Sequence, residues 1–333
     1  MKRRFAWSVL ASALVGISAV SPPARSQEAP SAYPSRNITL IVPQAAGGPP
    51  DVVARLVATP LAEIMGKPII IENRPGASAS IGAGAVAKAA PDGYTLLFIE
   101  ITVVVAPSLV AKVAYNPLTD FAPIASLARS WLTMVVSNKT PAANLKEFIA
   151  LARAKPNDLK FGSSGIGSPP HLGGQALLQA TGVQMSHVPY RGTAPAVTDV
   201  VGGHIDTIMV SFATAEAQAK GGQVRVFAVA GPQRFPALPD VPTFKELGYD
   251  LGGVDDGSWF GLAAPAGTPE PIIAKLNAGV NRVLQDPAVR SRIETANFKV
   301  EGGEPAVLGK LIKDHTIYWG DLLRRSGIQP KEQ

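Results

Sequence analysis

The sequence contains no cysteine, which excludes disulfides, thiolate metal sites and a lipid-anchored mature N-terminus. Aromatic residues are scarce, and no Lys/Arg cluster interleaves with them, so the chain lacks the footprint of a nucleic-acid surface. The histidines His171, His187, His204 and His315 are too scattered for a metal motif. His171 reads as a loop-orienting residue and the others as ordinary polar or partly buried histidines. No uncharged apolar run of about 18 residues follows the N-terminal leader, so no later transmembrane helix is expected. Nucleotide signatures are missing too: no P-loop occurs, and after Gly165 and Gly167 the next glycine position of a dinucleotide fingerprint is Pro170. Ile166 occupies the last position of the nucleophile-elbow frame that starts at Gly162, which removes an esterase. Without a nucleophile, base and metal constellation, the expectation is a protein that is not an enzyme and carries no cofactor.

What is present begins with a leader. Residues 1–26 have a basic start at Lys2, Arg3 and Arg4, an apolar run from Phe5 to Val20, and small residues at Ala24 and Ser26 that suit cleavage. This pattern predicts export, with twin-arginine export left open by Arg3-Arg4. The formal charge of +6 falls to +2 once Lys2, Arg3, Arg4 and Arg25 leave with the signal. The remaining chain is long enough for two lobes, because single cores stop growing near ~250 to 300 residues.

Strand and helix signals then alternate at short spacing. Strands are expected at Asn37 to Val42, Pro68 to Glu72 and Tyr94 to Phe98, with helices at Val52 to Met65 and Ile81 to Ala89. The pattern restarts after Phe121 with strands at Leu132 to Ser137, Leu159 to Gly162, Ser186 to Val188 and Ile205 to Val210, and helices at Leu145 to Ala154 and Pro170 to Thr181. Such alternation predicts α/β architecture with parallel sheets covered by helices. Lobe one is expected over 30–123 and 253–333 and lobe two over 124–252, because the chain returns near Trp259 and Phe260, which either border a ligand site or form a strand-core pair that needs no ligand.

Two strand-to-helix junctions look alike. QAAGGPPD follows the first strand, and FGSSGIGSPPHL repeats the arrangement in the second lobe. Proline suits a first helical turn because its missing N–H would be unpaired there. Glycine and small hydroxyls either turn the chain or leave amides facing a crevice where anions bind.

The segments YPSRNITLIVPQAAGGPPDVVARL, IIIENRPGASASIGAGAVAKAAPDGYTLL, FGSSGIGSPPHLGGQALL, HVPYRGTAPAVTDVVGGHIDTIM and SWFGLAAPAGTP resemble, in order and over nearly the whole mature chain, the Bug family. These are periplasmic substrate-binding proteins of tripartite tricarboxylate transporters. The resemblance implies a two-lobed periplasmic binding protein fold of type II-like form, a ligand cleft between the lobes and a soluble periplasmic protein. Its partners would be a small carboxylate and inner-membrane transporter subunits, with a monomeric receptor and no nucleic acid. An exported carboxylate sensor, whose closed form contacts a signalling protein rather than a permease, would have the same fold and pocket.

The family loops fall on Pro43 to Asp51 and Gly162 to His171. They nominate Gln44, Ala46, Gly47, Gly48 and Asp51 in the first lobe and Ser163, Ser164, Gly167, Ser168 and His171 in the second. Gly76 and Ser78 are further contacts from the NRPGASASIGA segment, where Asn73 and Arg74 alternatively secure the fold. Tyr190 and Asp206 complete the set, each with a structural alternative: Tyr190 as interlobe packing and Asp206 as an organiser of its lobe. Arg191 either neutralises a ligand or faces solvent. The chain departs from the family at Gln44, where an aromatic is usual, and at Pro50, which removes a hydroxyl and an amide donor. Ile101 to Ser108 is unusually apolar for a cleft strand and loop, and it suggests a partly apolar carboxylate.

Overall fold

The computed structural model describes residues 32–330, so the leader expected over 1–26 lies outside the described residues. In chain order the strands are β1 (Ile38–Val42), β2 (Ile69–Asn73), β3 (Thr95–Glu100), β4 (Phe121–Ser130), β5 (Leu132–Ser137), β6 (Lys160–Ser163), β7 (Ser186–Pro189), β8 (Thr207–Ser211), β9 (Val224–Val229), β10 (Ser258–Pro265) and β11 (Lys299–Val300). The helices are α1 (Pro49–Met65), α2 (Ser80–Ala87), α3 (Ile101–Val105), α4 (Leu145–Ala154), α5 (Pro169–Thr181), α6 (Thr193–Gly202), α7 (Phe212–Lys220), α8 (Glu270–Gln285), α9 (Pro287–Thr295) and α10 (Pro305–Arg325).

The strands form two sheets, ordered β11-β4-β10-β3-β1-β2 and β7-β6-β8-β5-β9. Each has a parallel trio, β2-β1-β3 or β7-β6-β8, whose strands are joined through helices. The sheets are nevertheless mixed rather than parallel. β10 runs against β3 and β4, and β5 runs against β8 and β9. The chain enters the second sheet directly from β4 into β5 and returns from β9 to β10, and antiparallel neighbours need no crossover helix.

β4 stays in the first sheet as far as Ser130, so the first crossing is at Trp131 and not at the expected boundary between 123 and 124. Two adjacent apolar strands read as one restart in the sequence. On the return, the expected boundary at 252 and 253 falls between the end of β9 and the start of β10.

Ile101 to Ser108, expected as a strand and loop, is α3 followed by a short 3-10 turn. β-branched residues favour helices weakly, yet all five residues of α3 are buried and Glu100 caps it by accepting the Thr102 amide. Packing outweighs propensity here.

Alternate residues of β1 face different cores, as a strand requires. Leu40 and Val42 join Val53, Val57 and Leu61 of α1 and Leu276 and Val280 of α8. Ile41 belongs to a cluster that continues through Leu132 and Met134 of β5, Leu172 and Leu177 of α5, and Trp319 and Leu322 of α10. The two sheets therefore share one continuous apolar core, and the two junction loops are held on a common frame.

Candidate functional site

Loop one leads from β1 to α1 and loop two from β6 to α5, each at the carboxyl end of the middle strand of a parallel trio, the edge at which α/β sheets bind ligands. They repeat one geometry. Gly47 and Gly167 turn with φ of 82° and 80°, and Gly48 and Ser168 are extended N-caps. Proline pairs then open the helices. The Gly47 amide donates to Asp51 Oδ2 at 2.9 Å, and the Gly167 amide donates to His171 Nδ1 at 3.1 Å. The prolines delete two of the donors that a helix start normally exposes. The amides of Ala45, Ala46 and Ile166 and the hydroxyl of Ser164 have no acceptor among the described residues. The lobes meet at loop two, where the side chain of Leu109 lies against the Gly167 backbone: a Cβ on Gly167 would stand 2.1 Å from Leu109 Cδ1.

Loop one is braced by carboxylates. Asp51 is buried, and its carboxylate accepts from Arg55 Nε at 2.9 Å and Asn73 Nδ2 at 3.0 Å as well as from Gly47. Burial pushes the Asp51 carboxyl up, but these hydrogen bonds outweigh it and hold the group below its ordinary range. Asn73 also donates to the Gln44 carbonyl at 3.1 Å, so it secures the loop. Gln44 Nε2 donates to Glu100 Oε1 at 3.0 Å, and Glu100 Oε2 accepts from the Thr102 amide and hydroxyl. Burial pushes the Glu100 carboxyl up against those bonds.

Loop two is braced by imidazoles. Ser163 is fully buried; its hydroxyl lies 2.7 Å from His187 Nε2, donates to the Gly165 carbonyl and accepts from the Gly165 amide. Ser168 Oγ donates to the same carbonyl at 2.6 Å. His171 stacks beside His187 with ring centroids 4.4 Å apart, and His187 lies on Phe161. Burial holds His187 down to about 4; burial, with the neighbouring His187, holds His171 down to about 3. Both imidazoles are therefore neutral, and a carboxylate would meet amides and hydroxyls rather than a cation.

The other nominated residues divide. Gly76 and Ser78 follow β2 at the same sheet edge as loop one, in a turn where Ala77, Ser78 and Ala79 all have positive φ. Close approach of Gly82 to Pro43 seats this segment beneath loop one. The Tyr190 hydroxyl donates to Asp199 within its own lobe at 2.6 Å, and Arg191 is exposed. Asp206 precedes β8 at the opposite end of the sheet, where it accepts from Thr140 Oγ1 and the Lys160 amide. It ties β5, β6 and β8 together, which is the lobe-organising alternative given for it. Ser163 and Ser168 keep their places in loop two, but their hydroxyls bond within the loop. Trp259 and Phe260 are buried core residues, the second of the two readings given for them.

Sequence reasoning missed Glu100 and His187. A glutamate ending an apolar strand signals a buried carboxylate, but its pairing with Gln44 requires the β1–β3 register. The His187–Phe161 pairing likewise exists only in the β6–β7 register. The lining of a separate cavity of about 510 Å³ near the crossing segments includes Asp250, Asp255, Asp256, Asp314, His315 and Lys245, and its carboxylates outnumber its one lysine, which disfavours an anion.

The model of the tripartite tricarboxylate transporter family receptor matches residues 53–328. The chain belongs to this family, the Bug receptors. It is similar to the periplasmic binding protein BugD, with 34% identity, a TM-score of 0.78, and 90% of this chain and 100% of that one covered. It is also similar to MatC of Rhodopseudomonas palustris solved with bound malate, with 37% identity, a TM-score of 0.77, and 87% and 100% covered. A second R. palustris protein, solved with adipate, shares 32% identity and a TM-score of 0.79 over 90% and 100% of the two chains. A Bug receptor is a periplasmic solute-binding protein of a transport system and not an enzyme, and this chain has the family's bilobed fold. Among the described residues no helix is long and apolar enough to cross a membrane, and no group of His, Asp or Glu could hold a metal ion.

Proposed function

We propose that this Bug receptor captures a small carboxylate between loops one and two and delivers it to the membrane subunits of a tripartite tricarboxylate transporter. The observation that carries the reading is the matched pair of loops. Each sets a helix N-terminus at the carboxyl end of a central strand, and the open donors include the Ala45, Ala46 and Ile166 amides and the Ser164 hydroxyl. No lysine or arginine is needed to hold the anion. The relatives with bound malate and adipate support a carboxylate as the solute class. Closure of the two lobes on the solute would supply the signal to the transporter without any chemical step.

A melting-temperature screen of the mature protein against di- and tricarboxylates, aromatic acids and their neutral analogues tests the reading, because a ligand that binds only the native state raises its stability. Carboxylates are expected to raise the melting temperature and neutral analogues to leave it unchanged. Stabilisation by neutral sugars or amines alone, with no carboxylate binding by calorimetry, would sink it.

A further inference from the structure

We infer that the cleft is polarised: loop two takes the solute's carboxylate, whereas loop one takes a hydrogen-bond donor, so that the solute is a carboxylate bearing a hydroxyl or amino group at its far end. The inference rests on the carboxylate-receptor reading above and names the solute class within it.

The difference between the loops is carried by matching positions. Where loop one has Gln44, loop two has Ser164, and where loop one has Asp51, loop two has His171. Ser164 offers a free hydroxyl and His171 carries no charge, so loop two presents donors without a competing anion. Loop one also has open amides, at Ala45 and Ala46, but its side chains do the reverse. Glu100 is 3% exposed, and both carboxylate oxygens are engaged by Gln44 and Thr102, with no lysine or arginine bonded to it among the described residues. A carboxylate accepts only, so it fixes the Gln44 amide with Nε2 turned inward. The Gln44 side-chain oxygen, which has no partner among the described residues, is then the group this half-buried residue can offer a solute. That oxygen accepts from a hydroxyl or ammonium and repels a second carboxylate. Asp51 does not alter the balance, because Arg55 pairs with it.

Burial pushes the Glu100 carboxyl up, so on acidification it gains a proton ahead of ordinary glutamates and its bias against a second carboxylate relaxes. Tyr115 is the titratable group that senses Glu100, and burial and that carboxylate push its hydroxyl up, so it stays neutral throughout. The Asp51–Arg55 pair is the ion pair of loop one itself.

Calorimetric titration with adipate and with its omega-hydroxy and omega-amino monocarboxylate counterparts tests the inference on wild type, Glu100→Gln and Gln44→Met, with circular dichroism as the control for folding. Gln44→Met changes a half-buried residue and keeps the test open if Glu100→Gln does not fold. Wild type is expected to bind the two monocarboxylates at least about tenfold more tightly than adipate, about 1.4 kcal/mol. Each variant should bring that ratio towards one. Adipate affinity should rise as pH falls in wild type and stay level in Glu100→Gln, a dependence that a purely structural glutamate would not produce. Equal or better binding of adipate by wild type, or a ratio that survives both variants, overturns the inference while leaving the carboxylate receptor standing. Failure of all three acids to bind the folded protein removes the receptor reading and this inference with it.

Discussion

Alanine at Gly167 and at Gly47 isolates the contact between the lobes. Both glycines have φ near 80°, where an L side chain costs about 1 to 2 kcal/mol. Around Gly47 a new Cβ would meet nothing within 4 Å, so backbone strain is the whole cost there. At Gly167 the new Cβ would lie 2.1 Å from Leu109 Cδ1, far inside the 3.0 Å that real Cβ atoms keep. Leu109 has to leave its rotamer, at about 0.5 to 1.5 kcal/mol. The expected losses are therefore about 1 to 2 kcal/mol for Gly47→Ala and about 1.5 to 3.5 kcal/mol for Gly167→Ala. Urea unfolding of both single variants, of Leu109→Ala and of the Gly167→Ala/Leu109→Ala double variant measures the difference. Because truncating Leu109 removes the clash, the double variant should be more stable than the sum of its parts by about 0.5 to 1.5 kcal/mol. Equal losses at the two glycines together with strict additivity would refute the reasoning, since the lobes would then not touch at Leu109.

Ser163→Ala should lower stability by about 1 to 3 kcal/mol in chemical unfolding, because it strips partners from His187 and from the Gly165 amide; an unchanged midpoint would show that the buried network is not formed. The histidine pair sets an acid limit. Above the unfolded value of 6.5 neither state binds the protons, whereas below it the unfolded chain takes them up and the folded chain does not, down to about 4 for His187 and about 3 for His171. Stability is thus fully present above pH 6.5 and should fall on acidification by up to about 1.4 kcal/mol per pH unit for each imidazole, and His187→Gln should remove its own share of that slope. Pro50→Thr returns an amide and a hydroxyl to the first turn of α1 and should lower stability by about 0.4 to 1 kcal/mol while changing the ratio of affinities among carboxylates in calorimetry. Identical ratios would show that position 50 does not read the solute.

Much of the frame was legible because local signals agreed with it. α4 occupies the residues expected from its periodicity, and Asn144 caps it as a side-chain acceptor. The two loops were legible for the same reason: glycine followed by a proline pair specifies a turn into a helix wherever it occurs. Chain length and the restart after Phe121 pointed to two lobes, and the order of the family motifs added the cleft between them. What stayed hidden depended on register or burial. α3 is built from residues that favour strands, and its capping by Glu100 becomes visible only when the helix is in place. Ser163 and Asp51 were recognisable as loop residues, but the sequence does not say whether a hydroxyl or carboxylate faces a solute or a neighbouring amide. In both, the polar atoms bond within their own loops. Asp206 was drawn into the site by its place among family motifs, yet it ends up where parallel strands begin, at the wrong edge for a ligand.

A crystal structure of the mature protein with a carboxylate found by the melting screen is the most direct measurement of the central claim. The account predicts one solute bridging both lobes, with its polar atoms within about 3 Å of loop one, at the Ala45 and Ala46 amides or the Gln44 side chain, and of loop two, at the Ile166 amide or the Ser164 hydroxyl. A solute seated in the acidic cavity beside His315, or held by one lobe alone through a lysine or arginine, would contradict it.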